Sequence, residues 1–205
     1  MKSQKTTAAK KVTKIEVIKK ILRPIKFTTV NFFRKISHRV QRFFNPPRLP
    51  ENKNNKVFIH LGCGNKNNNE YINVDALPFP RVHYISRVEK LSMFPNNYAD
   101  LVYASHVLEH VSHLQLLDVL HEWKRIIKPG GTLRLSVPDF DKIISIYETE
   151  NKKIESIIGP LMGGQDYDFN FHKSIFNEFF LNKVLKDVGF NKVSIWDPNT
   201  YSRTL

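Results

Sequence analysis

Between residues 57 and 137 the chain alternates short apolar runs, each stopped by glycine, an acid or a small residue, with stretches whose apolar residues recur at the helical period. Strands that alternate with helices close as an open, mostly parallel, doubly wound α/β sheet, with ligand sites beyond the carboxyl ends of the strands. The strand-like runs are 57–61, 71–75, 82–86, 101–104 and 132–137, with a sixth at 193–196; helices are predicted over about 112–127, 139–150 and 174–188. The first of these helices should stop at Lys128-Pro129-Gly130-Gly131, because proline offers no amide donor and glycine readily takes the left-handed conformation that ends a helix. Only residues 65–70 separate the first glycine turn from the second run, fewer than the dozen or so that a helical crossover needs. A reduced first crossover is therefore expected, and so is an abbreviated C-terminal end, since the chain stops soon after the sixth run.

Charge divides the chain in two. Residues 1–50 carry fourteen of the 32 Lys and Arg residues and a single acid, Glu16, which accounts for the whole net charge of +13; the remainder has eighteen of each sign. A basic arm and linker over 1–50 is thus expected to precede a neutral domain over 51–205. Residues 1–12 are polar and are read as disordered. Within the arm, Ile15, Ile18, Leu22 and Ile25 recur at helical spacing, with Pro24 expected to end or kink that helix. Val30, Phe33, Ile36, Val40 and Phe43 share one face of a second stretch whose other side holds Arg34, Lys35, Arg39 and Arg42. Basic, Phe-bearing amphipathic segments lie in membrane interfaces with the cations toward anionic headgroups. An anionic membrane surface is therefore one candidate partner of residues 10–44; packing on the domain, a solvated basic arm, a targeting peptide and phosphate contacts to nucleic acid remain open alternatives. No run reaches the roughly 18 apolar residues of a membrane span, and the first residues lack the apolar core of a secretory signal peptide. The single cysteine, Cys63, excludes an intramolecular disulfide and a cysteine zinc cluster. A cytoplasmic protein, peripheral to a membrane, is expected.

Four segments carry chemistry. His60-Leu61-Gly62-Cys63-Gly64 follows the first run directly, and a strand ending in G-x-G lets the backbone turn sharply and a ligand approach closely. Asp75 ends the second run, where a carboxylate can accept both hydroxyls of a ribose. Residues 100–110 (DLVYASHVLEH) form the third segment, and residues 120–131 (LHEWKRIIKPGG), running into a strand, form the fourth.

Together and in this order the four resemble the class I S-adenosylmethionine (SAM)-dependent methyltransferases, specifically the broad type-11 group, over about residues 57–196. The resemblance implies SAM as cofactor. Gly62 and Gly64 would line its methionine end with His60 and Cys63 beside them, Asp75 would hold the ribose hydroxyls, and Ala76 would border the adenine. Leu91 would fall in the segment contributing to the adenine pocket, and Ser105 and His106 would face the cofactor near its sulfonium. The chain departs from the group in having His60 where an acid often begins the first motif, in lacking the third glycine, and in placing Arg87 where an acid often contacts adenine, with Glu89 nearby. Gly163-Gly164-Gln165 and His172 match a smaller subgroup that tends to accompany polysaccharide and glycan assembly.

The resemblance thus implies an enzyme, a methyltransferase acting on a hydroxyl of a glycan or lipid-linked saccharide, or on another small molecule. An RNA methyltransferase using the basic arm and a non-catalytic SAM-fold protein are the alternatives. A hydroxyl acceptor needs a base for its proton, a role suited to histidine, so His106, His110 and His172 are the catalytic candidates. No metal site is expected. His106-Val-Leu-Glu109-His110 matches the inverted zinc-peptidase pattern, but that pattern needs a helix and a third ligand downstream, and here it straddles a strand end.

Overall fold

The computed structural model describes residues 36–52, 55–65 and 69–196. The first amphipathic stretch, Val30 and Phe33 of the second, and residues 1–12 read as disordered lie outside them. Five strands form one parallel sheet: β1 (Phe58–Leu61), β2 (Tyr71–Asp75), β3 (Tyr84–Ile85), β4 (Ala99–Ser105) and β5 (Ile127–Ser136), in the order β3-β2-β1-β4-β5. The chain steps outward from β1 to β3, then returns to lay β4 on the other side of β1. This reversal creates a topological switch point between β1 and β4, where ligands bind in such sheets. Flanking it are α1 (residues 36–44), α2 (Leu116–Ile126), α3 (Phe140–Thr149), α4 (Ile158–Met162) and α5 (Glu178–Asp187). The short first crossover is present: β1 pairs with β2 across residues 62–70, and its described residues form turns.

Register explains the core. Ile72, Ile59, Val102 and Leu133 lie side by side across β2, β1, β4 and β5, and Val74, Leu61, Ala104 and Leu135 form the next row on the same face. Leu116, Val119, Leu120, Trp123 and Ile126 of α2 pack on these rows, spaced three and four residues apart as one face of a helix requires. Residues between the rows point the other way. His60 therefore stands beside Asn73, Tyr103 and Arg134 on the opposite face, with its ring 4.9 Å from that of Tyr103 and 5.9 Å from that of Tyr71.

Three elements differ from their predicted form. β5 begins at Ile127 rather than 132, because the register jumps from Ala99↔Ile127 to Leu101↔Thr132 and leaves Lys128–Gly131 as an irregularity in the strand; such a bulge tolerates a proline that cannot donate. The last helix starts at Glu178 rather than 174, since Phe176 bridges Asp139 and accepts from the Phe140 amide (2.7 Å) before Asn177 caps α5 through the Phe180 amide (2.9 Å). Residues 193–196 form no sixth strand. Trp196 instead meets β5 by its side chain, its indole N–H donating to the Leu135 carbonyl (3.1 Å) and its ring lying under the Arg134 guanidinium.

Burial pushes the His60 pKa down to about 4. The folded protein thus disfavours protonated His60; this has no effect on stability above the unfolded value of about 6.5 and destabilises progressively as pH falls from there toward the folded value. Between pH 7 and pH 5, His60 should account for about 2 kcal/mol of lost stability. Urea titrations should show a smaller loss over that range for His60→Phe; an equal loss would remove His60 as its source.

Candidate functional site

A cleft opens at the switch point, floored by the turn that follows β1. Gly62 and Gly64 both have left-handed backbones (φ 61° and 55°). A Cβ on Gly62 would collide with the Val107 side chain, whereas one on Gly64 would meet nothing within 4 Å. The Gly64 amide donates to Asp75 Oδ2 (2.8 Å), and the Leu77 amide to Asp75 Oδ1 (2.8 Å). Asp75 thus faces the glycine turn, and each oxygen keeps a lone pair for a further donor, as a ribose diol requires. Burial raises its pKa, opposed in part by the two amides.

Beyond Asp75, Ala76, Leu77, Phe79, Arg87, Val88 and Glu89 form one wall. The C-terminal half of α2 holds this wall in place. Trp123 Nε1 donates to the Val88 carbonyl (2.9 Å), Glu122 Oε1 accepts from the Leu91 amide (2.9 Å), and Arg125 reaches the carbonyls of Leu91 and Phe94 (3.2 and 3.0 Å). Arg87 pairs with Glu89 and lies 5.6 Å over the Phe169 ring, so the opposite wall is contacted across the cleft.

That opposite wall comes from two places. His106, immediately after β4, has φ 54°, a conformation uncommon for a side-chain-bearing residue that recurs at functional sites; its Nδ1–H donates to Glu109 Oε1 (3.1 Å). A short 3-10 turn (Leu108–His110) then carries Glu109 and His110. Against it lies the segment from Gly163 to Ser174. Gly163 (φ 78°) has room for no side chain beside the Asn170 carbonyl, Gln165 N donates to that same carbonyl (2.9 Å), and the Lys173 and Ser174 amides both donate to the Glu109 carbonyl (2.7 and 3.1 Å). This strap brings the His172 ring to 5.0 Å from that of His110. Each Nδ1 meets a backbone carbonyl, Phe171 for His110 (3.1 Å) and Pro160 for His172 (2.9 Å). A carbonyl can only accept, so Nδ1 carries the proton and Nε2 the lone pair in both neutral rings. Burial holds His110 below the usual histidine range, which favours that neutral form.

Of the residues singled out from the sequence, Gly62, Gly64, Asp75, Ala76, His106 and His110 line the cleft together, and His172 abuts His110 from behind the wall. Four stand off it. His60 points to the opposite sheet face, Leu91 is wholly buried in the core, and Ser105 pairs with Ser136 inside the sheet. Cys63, 3% exposed, faces inward between the two glycines; burial first, then the nearby Asp75 charge, pushes its thiol up to about 12. Sequence reasoning missed Phe79, Tyr167, Phe169 and Lys173 as lining residues. The Gly163-Gly164-Gln165 turn was the one available signal for the last three, since a glycine pair commonly marks a sharp reversal.

A family model described as a methyltransferase domain matches residues 30–195, beginning inside the segment read as the arm. Among solved structures, the chain is similar to a SAM-dependent methyltransferase from Archaeoglobus fulgidus, with 18% identity over 82% of this chain and 80% of that one and a TM-score of 0.44. A SAM-dependent methyltransferase from Thermotoga maritima aligns with 15% identity over 83% and 82%, TM-score 0.49. The Haemonchus contortus phosphoethanolamine N-methyltransferase 2, solved in complex with S-adenosyl-L-methionine, aligns with 13% identity over 83% of this chain and 40% of that one, TM-score 0.44. No curated protein matches.

The two glycines should respond differently to a methyl group. Gly62→Ala combines a left-handed backbone with a collision and should destabilise by about 2–4 kcal/mol, whereas Gly64→Ala should show only the conformational penalty of about 1–2 kcal/mol. Denaturant titration of both variants checks this, and equal losses would contradict the packing of Val107 on the turn.

Proposed function

The chain belongs to the methyltransferase domain family and is a SAM-dependent methyltransferase; on that ground we propose that it methylates a hydroxyl of a glycan or lipid-linked saccharide at an anionic membrane surface. The observation that carries the cofactor assignment is Asp75, held across the glycine turn by two amides with its remaining lone pairs on the cleft. Asp75 would take the ribose hydroxyls, and Gly62 and Gly64 would receive the methionine end, where the absence of a Cβ on Gly64 leaves open space. Arg87, Val88 and Glu89 would border the adenine. When bound, SAM supplies an electrophilic methyl group on a sulfonium.

The chain's own residues do the rest. Phe79, Tyr167 and Phe169 line the cleft and would shield a bound ligand from water, which would strengthen the electrostatic interactions within it. A hydroxyl must lose its proton on methylation, and His106 and His110, which line the cleft with His172 packed against His110, are the imidazoles positioned to take it. The saccharide class rests on the resemblance of the Gly163–Gln165 and His172 segment, which builds the strap beside those histidines.

The membrane reading rests on α1. Its Arg42 guanidinium reaches the Phe79 carbonyl (3.5 Å) and His38 packs on the Phe79 ring, so its polar side meets the cleft wall. Ile36, Val40, Phe43 and Phe44 are left exposed, the two phenylalanines by 82% and 79%. An apolar face turned outward within the basic quarter of the chain suits an anionic interface. Among the described residues no helix is long and apolar enough to cross a membrane.

Asp75→Asn should weaken SAM binding at least tenfold by calorimetry. In the wild type, affinity should begin to fall at a higher pH than for an ordinary carboxylate, because the raised pKa protonates Asp75 sooner; unchanged binding by the variant would sink the cofactor assignment. Labelled SAM supplied to a membrane extract should place label in the saccharide fraction. Phe43→Glu combined with Phe44→Glu should reduce that labelling tenfold or more while leaving SAM affinity unaltered. Label entering RNA would overturn the acceptor class, and undiminished labelling by the variant would overturn the anchor.

A further inference from the structure

Beside His110, at the edge of the cleft, more donor groups gather than removal of one proton requires. One oxygen of Glu109 and one nitrogen each from His110 and His172 lie within 4.8 Å of one another. The backbone carbonyls of Phe171 and Pro160 hold the Nδ1–H groups of the two rings, which leaves both Nε2 atoms as lone-pair donors. Metal-ligating histidines are oriented in this way, one nitrogen fixed by a hydrogen bond so that the other can coordinate. Glu109 is 1% exposed; Oε1 accepts from His106, and Oε2 has no partner among the described residues. A buried carboxylate oxygen with nothing to accept from is rare in folded proteins and points to a missing donor or ion.

We propose that Glu109, His110 and His172 bind one divalent transition-metal ion, and that this ion holds the acceptor hydroxyl at the edge of the cofactor cleft. The metal site stands on its own geometry; only its role toward the hydroxyl rests on the saccharide methyltransferase reading. Two imidazoles and one carboxylate suit zinc, manganese or ferrous iron rather than the all-oxygen shells of calcium and magnesium. Three protein ligands leave coordination positions open for an acceptor oxygen. Bonds of about 2.0–2.2 Å set neighbouring ligand atoms roughly 3–3.5 Å apart, so side-chain adjustments of about an ångström close the three groups onto an ion.

The sequence pattern His106-x-x-Glu109-His110 is thus divided in the structure. No α-helix carries it, so it does not present two histidines one turn apart as a zinc peptidase would. His106 turns back to hydrogen-bond Glu109 and orients the carboxylate, while the place of a second histidine ligand is taken by His172, delivered by the strap 62 residues further on. Lys173 and Ser174 pin that strap to the Glu109 carbonyl, so the two halves of the ligand set are held together without an ion. With His110 and His172 engaged, His106 is the imidazole that remains beside the cleft for proton removal.

The test uses the full-length protein, stripped with chelator and titrated calorimetrically with Zn²⁺ or Mn²⁺ in the absence of SAM. One ion per chain is expected, with affinity at least tenfold lower in His172→Ala and in Glu109→Gln, and unchanged in His113→Ala, whose exposed histidine lies nearby. SAM affinity, measured on the same preparations, should persist in His172→Ala and thereby show that the variant is folded. A rise in the wild-type melting temperature with the ion, absent in Glu109→Gln, provides a second readout should His172→Ala fold poorly. Failure of both ions to bind the wild type, or equal binding by the wild type and both ligand variants, overturns the metal site. SAM binding without ion binding would remove the metal and leave the methyltransferase intact; ion binding without label in saccharide would remove the acceptor class and leave the metal.

Discussion

The hydrogen bond from the Gly64 amide to Asp75 ties together the tips of two neighbouring strands, and the rest of the site is arranged around it. Parallel pairing sets Leu61 opposite Val74, so the chain leaves β1 at the same height at which β2 ends. The turn after β1 and the acid that ends β2 must therefore emerge side by side. The left-handed glycine directs its amide at the carboxylate, and the Leu77 amide holds the other oxygen. An acid that would otherwise sample several rotamers is thereby fixed before any ligand arrives, and preorganisation of this kind reduces the entropic penalty of binding.

The features legible in the sequence were those set by local backbone demands. A strand that ends in G-x-G and a strand that ends in aspartate declare themselves within a few residues, and their order along the chain implied the open sheet, which has its cleft at the switch point. Side-chain direction was less legible. His60 and Cys63 sit beside the glycines in sequence, but strand alternation sends His60 to the far face, and the turn points Cys63 into the core. Leu91 belongs to the right segment, yet α2 draws that segment inward through Glu122 and Trp123 until its leucine is core rather than wall. β5 starts early because a bulge lets Lys128-Pro129-Gly130-Gly131 both end a helix and open a strand, a double duty that propensity rules assign to a loop. Phe169 and Lys173 reach the cleft only through tertiary packing across a hundred residues, and no local pattern announces such an approach.

The strap between Gly163 and Ser174 gives the site its second half. Sheet edges and switch points are generic to the fold, whereas this segment is particular: a glycine-tight turn, an asparagine carbonyl that closes it, and amides that anchor it on the Glu109 carbonyl. It supplies Tyr167 and Phe169 to the cofactor side and His172 to the histidine side. The cofactor cleft and the histidine cluster therefore share one mechanical element, and displacement of the strap would disturb both together. The fold supplies the glycine turn and Asp75, and the strap supplies part of the wall that faces them.

Cys63 adds a property unrelated to any of these roles. It is the chain's only thiol, it lies between the two glycines, and burial keeps it protonated far above neutral pH. Alkylating reagents attack thiolates, so they are blind to this sulfur while the turn is closed and reach it only when the turn opens. The native chain thus contains, without a label or a mutation, its own reporter of local opening at the place where the nucleoside would rest, because capping of this sulfur requires the turn to open.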